Sequence, residues 1–142
     1  MDVSEVRRRL KHAIEKSKQA AAARRASVAA TEREYEGFRR DVATPVFRMM
    51  ASALTGEGIP FLVFTPAATV RLASDSSGED FVELLLDTSR VPPEVIGRTS
   101  RGRGRGATLS ERPVVPDKPV AEIGQEDVLA FLLSEIEPFI AR

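Results

Sequence analysis

Apolar residues return at every seventh position through the first third of the chain, at Ile14, Ala21, Val28, Tyr35, Val42 and Met49. Such a row predicts a helix of about 40 residues, roughly 60 Å long at 1.5 Å per residue. A compact domain made from the rest of the chain is roughly 25–35 Å across. The helix therefore outruns its own domain, and a second copy is the simplest partner for the uncovered part. The companion heptad position carries Leu10, Phe38 and Pro45 but also Ser17, Arg24 and Thr31, so the seam is half filled. Its centre, AAAARRASVAA, allows close approach but buries little area, which predicts a thin contact rather than a leucine-zipper-like one. The dimer contact expected from this row uses Ile14, Ala21, Val28, Tyr35, Phe38 and Val42, weighted to the better-filled end at Tyr35, Phe38 and Val42.

Gly37 disfavours a helix interior by about 1 kcal/mol relative to Ala, and Pro45 lacks the N–H that an interior position donates. A break or kink near 43–45 is expected, with Asp41 or Thr44 capping a second, short helix over Val46–Leu54. Thr55-Gly56-Glu57-Gly58 ends it.

Alternation with period two takes over in the middle. Phe61-Leu62-Val63-Phe64 is an apolar run closed by Thr65-Pro66. Val70 and Leu72 alternate with Thr69, Arg71 and Ala73, and Val82, Leu84 and Leu86 alternate with Phe81, Glu83, Leu85 and Asp87. Asp75-Ser76-Ser77-Gly78 is turn chemistry, and Val91-Pro92-Pro93 is a rigid connector. Val95-Ile96 and Thr108–Val115 suit a last hairpin around a Gly-rich stretch. Successive strands without intervening helices predict an antiparallel meander. Helical spacing returns at Val128, Leu129, Leu132, Leu133 and Ile136, with Glu126 and Asp127 in the first turn and Pro138 expected to kink or stop the helix.

The fold class is therefore α+β. Residues 1–43 form a long N-terminal helical arm. Residues 44–142 form a domain with a short helix, an antiparallel β-meander of three to five strands, and a C-terminal helix packed on the sheet. This order of elements is similar to that of small dimeric nucleoid-associated proteins and some secretion chaperones, a likeness of layout that names no family.

Composition sharpens the picture at a few points. The 142 residues include 7 Phe, 1 Tyr and no Trp, so the core is mostly aliphatic. No Cys is present, which excludes disulfides, thiolate metal sites and cysteine nucleophiles. No apolar stretch approaches the roughly 20 residues of a membrane span, and the opening MDVSEVRRRLKH lacks a signal peptide's apolar run. A cytoplasmic location is the default expectation. The formal net charge of zero hides sorted ends: residues 7–25 hold eight Lys or Arg against Glu15, whereas residues 120–142 hold five acids against Arg142. Opposite-signed ends favour self-association or an ordered internal contact.

Candidate chemistry is sparse. Arg98, Arg101, Arg103 and Arg105 lie in a Gly-rich segment and are the candidate polyanion contact, since guanidinium forks pair with phosphates and stack on bases. No aromatic residue lies between Phe81 and Phe131 to assist, so a mobile hairpin tip is the plainer expectation. The basic residues of the first helix spread around its circumference, as on a solvated arm. Arg24-Arg25-Ala26-Ser27 reads as a basic phosphorylation sequence, but Ser27 is poorly presented within a helix. Asp75, Glu79, Asp80, Glu83 and Asp87 lack the ligand register of a calcium loop and are expected on a solvated turn and sheet face. His12, the single His, has no nucleophile or second ligand beside it. No catalytic, cofactor-binding or metal-binding residue is assigned, and no cofactor is expected.

The leading reading is a non-catalytic homodimeric interaction or scaffold protein associating through its long helix and sheet, with a further, unidentified protein as a second partner to be expected. The alternative is a nucleic-acid-associated accessory protein using the Arg-Gly loop and basic helix. An enzyme built on the carboxylates is the third.

Overall fold

The computed structural model describes residues 1–141. Helix α1 spans Val3–Phe38, a π-helical turn covers Arg39–Ala43, and α2 spans Thr44–Gly56. Five strands follow: β1 Phe61–Phe64, β2 Val70–Ser74, β3 Phe81–Asp87, β4 Glu94–Arg103 and β5 Gly106–Pro113. A short 3-10 turn at Val120–Glu122 leads into α3, Gln125–Ile140. The architecture is α+β as expected, and the sheet is a five-stranded antiparallel meander in the order β1-β2-β3-β4-β5.

Of the break or kink expected near 43–45, the break is absent: a π-helical turn at Arg39–Ala43 joins the first two helices. The backbone stays right-handed helical through Ala43 (φ −68°, ψ −52°) and Thr44 (φ −59°, ψ −45°), and neither Asp41 nor Thr44 caps a new helix. Pro45 cannot donate to residue 41, and its ring crowds that carbonyl. The wider π turn at 39–43 opens the backbone at this place and lets the helix continue. Pro138 likewise stays inside α3, which runs on to Ile140. The end of α2 is as expected, with Gly58 beyond it at φ +81°, a conformation glycine adopts without Cβ strain.

Register fixes which side chains share a sheet face. Pairing sets Val82 against Leu72 and Thr99, and Leu84 against Val70 and Gly97. With Phe61, Val63 and Val95, these residues form the helix-bearing face. There α2 packs on β1 and β2, and α3 packs on β3 and beside α2. Phe61 and Phe139 meet edge to face, 5.9 Å between ring centroids. The core is one cluster, with Phe47, Leu72, Leu84 and Leu132 among its fully buried members, and α1 contributes to it only through Tyr35 and Phe38.

Gly97 locks α3 to the sheet. The Phe131 ring lies in the space that a Cβ at Gly97 would occupy. The Arg112 guanidinium stands 4.5 Å from the centre of that ring and donates to Glu135 (2.6 Å), and Thr99 Oγ1 donates to the same carboxylate (3.1 Å). Strand, helix and hairpin are thus tied at one point.

Candidate interaction surfaces

Helix α1 begins cleanly. Asp2 accepts the Glu5 N–H (2.9 Å), and Glu5 pairs with Arg8 and Arg9 one turn later. From Val6 to Ala20 every side chain is exposed. Val3, Val6, Leu10 and Ile14 are 73, 51, 57 and 45 % exposed. Helical spacing places these four on one stripe, and among the described residues nothing in the chain's own domain covers it. Further along, Ala21 and Val28 border a cleft of about 620 Å³ whose other wall includes Arg90, Val91 and Pro92.

The last turns of α1 behave differently from expectation. Tyr35 is 2 % and Phe38 5 % exposed, both inside the chain's own core. Tyr35 Oη donates to the Ala68 carbonyl (2.9 Å), and burial raises its pKa far above the ordinary phenol value. Val42 also packs against this core. Tyr35, Phe38 and Val42 therefore do not form the free contact surface expected of them, because they anchor the arm to its own domain. The uncovered apolar surface lies at the opposite end of the helix.

The second face of the sheet carries no packed helix. Leu62, Phe64 and Leu109 are exposed on it, while Ile96 and Ala73 are buried there apart from the main cluster. Across its middle runs a ladder of charges. Register sets Glu83 between Arg71 and Arg98, and Arg98 opposite Glu111. Arg71 donates to Glu83 (Nε 2.8 Å, Nη2 2.7 Å), Arg98 Nη1 lies 3.7 Å from the other Glu83 oxygen, and Arg98 Nε donates to Glu111 (2.8 Å). The Arg71 guanidinium also covers the Phe81 ring at 4.1 Å.

These contacts correct the reading of the carboxylates. Glu83 is only 3 % and Asp80 5 % exposed. Glu83 is enclosed by two guanidinium groups, and Asp80 accepts the Gly102 N–H (2.8 Å). Period-two alternation identifies the face of each residue but not its cross-strand neighbour, so this pairing was hidden in the sequence. Asp87 stays at the surface, where hydrogen bonds from Ser89 and then Arg90 hold its carboxyl below the usual range.

The Gly-rich segment is strand on both sides of a two-residue turn. Arg103 pairs with Gly106 across a Gly104-Arg105 turn, with Gly104 at φ +58°. Arg98 is engaged with Glu83 and Glu111. Arg101 points to the helix-bearing side, half-buried, with its Nε enclosed and without a hydrogen-bond partner among the described residues. Arg103 and Arg105 alone stand free at the tip. The four arginines thus do not converge on one polyanion site.

A surface that sequence reading missed lies between α2 and α3. Val46, Met49 and Ala53 of α2 and Glu126, Leu129 and Leu133 of α3 border an apolar cleft of about 480 Å³. Met49, Leu129, Leu133 and Ile140 are exposed. The width of the α3 apolar face was the available signal: a helix resting on one sheet needs a stripe, and here leucines extend beyond it.

Among the described residues no three His, Asp or Glu side chains gather as a metal site, and no helix is long and apolar enough to cross a membrane. Comparison with models of protein families, with curated proteins and with solved structures finds no match.

Proposed function

We propose that this chain is a non-catalytic, cytoplasmic interaction protein that works as a homodimer, with α1 as its associating element and the open sheet face as a second binding surface. The observation that carries this reading is the arm. An aliphatic stripe over Val3, Val6, Leu10 and Ile14 stands in water on a helix continuous with the core. Exposed apolar rows of this kind mark association surfaces. The second face adds Leu62, Phe64 and Leu109 around a central set of ion pairs, apolar area beside satisfied charge.

Light scattering at tens of micromolar tests the reading. A mass of twice 15.5 kDa is expected for the full chain, falling to that of a monomer when residues 1–20 are removed. A monomeric full chain overturns it. The nucleic-acid alternative retains Arg103, Arg105 and the basic arm, but not the cluster of four arginines that suggested it. Fluorescence anisotropy with labelled DNA and RNA at low salt tests it, and binding that falls steeply with salt would favour it.

A further inference from the structure

We infer that the arm of one copy lies antiparallel in the cleft between α2 and α3 of a second copy, and that two copies exchange arms reciprocally. This rests on the dimer reading above and specifies its contact. Two helical stripes in the same chain share a spacing and carry opposite charge. On the arm the series is Arg7, Leu10, Ile14, Lys18, Ala21; on α3 it is Glu126, Leu129, Leu133, Glu137, Ile140. The intervals are identical, and each cation of the first has a carboxylate in the second. Arg7 to Lys18 and Glu126 to Glu137 each span eleven residues, about 16 Å along a helix.

Both stripes are available. Leu10 and Ile14 are exposed, as are Leu129, Leu133 and Ile140. Among the described residues, Arg7, Lys18, Glu126 and Glu137 enter no ion pair, whereas Asp127 and Glu135 of α3 are occupied by Lys118 and Arg112. Direction follows from helix geometry. At 100° per residue, Arg7 and Lys18 flank their aliphatic row on the same rotational side as Glu126 and Glu137 flank theirs. Two helices facing each other bring such edges together only when they run antiparallel. Arg7 then opposes Glu137, and Lys18 opposes Glu126. Met49 and Val46 of α2 supply the cleft's second wall.

The competing arrangements are less favourable. Pairing arm with arm would bring together two segments that each hold eight cations against one acid over residues 7–25. The chain's own cleft is out of reach, because the arm is one stiff helix continuing into α2 with every side chain exposed from Val6 to Ala20. A stable complex buries roughly 800 Å² per partner, and reciprocal exchange doubles what a single arm stripe contributes.

The absence of cysteine allows a test without background. Leu10→Cys protein is mixed with Leu133→Cys protein and treated with a short bis-maleimide, alongside light scattering of the untreated samples. The expected result is a dimer in which Leu10→Cys joins Leu133→Cys, with little Leu10→Cys joined to itself. A dimer that links Leu10→Cys to itself, or that links neither pair, overturns the arm exchange while leaving the dimer reading intact. A monomer overturns both. As an independent check, Glu126→Arg with Glu137→Arg is expected to weaken dimerisation about tenfold at low salt. Adding Arg7→Glu with Lys18→Glu to the same chain restores it, and failure of that restoration also overturns the proposal.

Discussion

Two glycines in this chain carry opposite consequences for the same substitution. At Gly37, inside α1, an added Cβ meets only the Arg40 side chain at 3.9 Å. Gly37→Ala should stabilise the fold by up to about 1 kcal/mol through helix propensity. At Gly97 the added methyl collides with the Phe131 ring, which packs beneath the Arg112 guanidinium. Gly97→Ala should cost about 2 kcal/mol or more, and urea denaturation of both variants checks the signs. Glu83 is a third position whose weight comes from its neighbours. Glu83→Ala leaves Arg71 and Arg98 facing each other on the sheet. The expected loss is about 2 kcal/mol, smaller than for a fully buried pair because both guanidinium groups retain some water. Glu111→Ala, at an exposed carboxylate, should change the denaturation midpoint little. The weight of Gly37 was legible in the sequence, whereas those of Gly97 and Glu83 were not. Gly97 and Glu83 look like an ordinary strand glycine and a solvent-side acid until register places Phe131 over one and two arginines beside the other.

At the scale of elements the sequence was more readable. A short apolar run located β1, period-two alternation located β2 and β3, turn residues marked the ends, and the final hairpin was expected between Val95 and Val115. The Gly-rich stretch was misleading because RG repeats look like loop, whereas β4 and β5 pair through Arg103 and Gly106 and carry them as strand. A helical break at 43–45 does not form for a related reason: proline forbids one hydrogen bond, and a π turn removes the need for it. The start of α3 makes a pH-dependent prediction. Asp127 accepts from Lys118 (2.8 Å) and from the Gly124 N–H (3.0 Å), and these contacts hold its pKa below the ordinary 3.8. A carboxylate with a lowered folded-state pKa stabilises fully above its unfolded value, and the contribution disappears as pH falls through the folded one. Thermal melts of the native chain should therefore lose stability below about pH 4. Asp127→Asn should be less stable at neutral pH and should show a shallower acid decline.

For the molecule as a whole, the order helix, sheet, helix and the excess length of α1 were legible, since both depend on local periodicity. Which end of α1 is free was not legible, because the best-filled heptad positions belong to the core and not to an interface. Tyr35 and Phe38 secure the base of the arm, so removing residues 1–20 should leave the melting temperature within a few degrees of the full chain while abolishing self-association. The unbroken passage of α1 through the π turn into α2 has one more consequence. The arm has no hinge, so the direction its stripe faces is set by helical phase. Two residues inserted after Ala22 would rotate the stripe by about 200° relative to the core, whereas seven would bring it back to within about 20° and carry it about 10 Å outward. Association that vanishes with two added residues and returns in part with seven would show that this chain positions its contacts by angle, as teeth on a shaft do, rather than by reach.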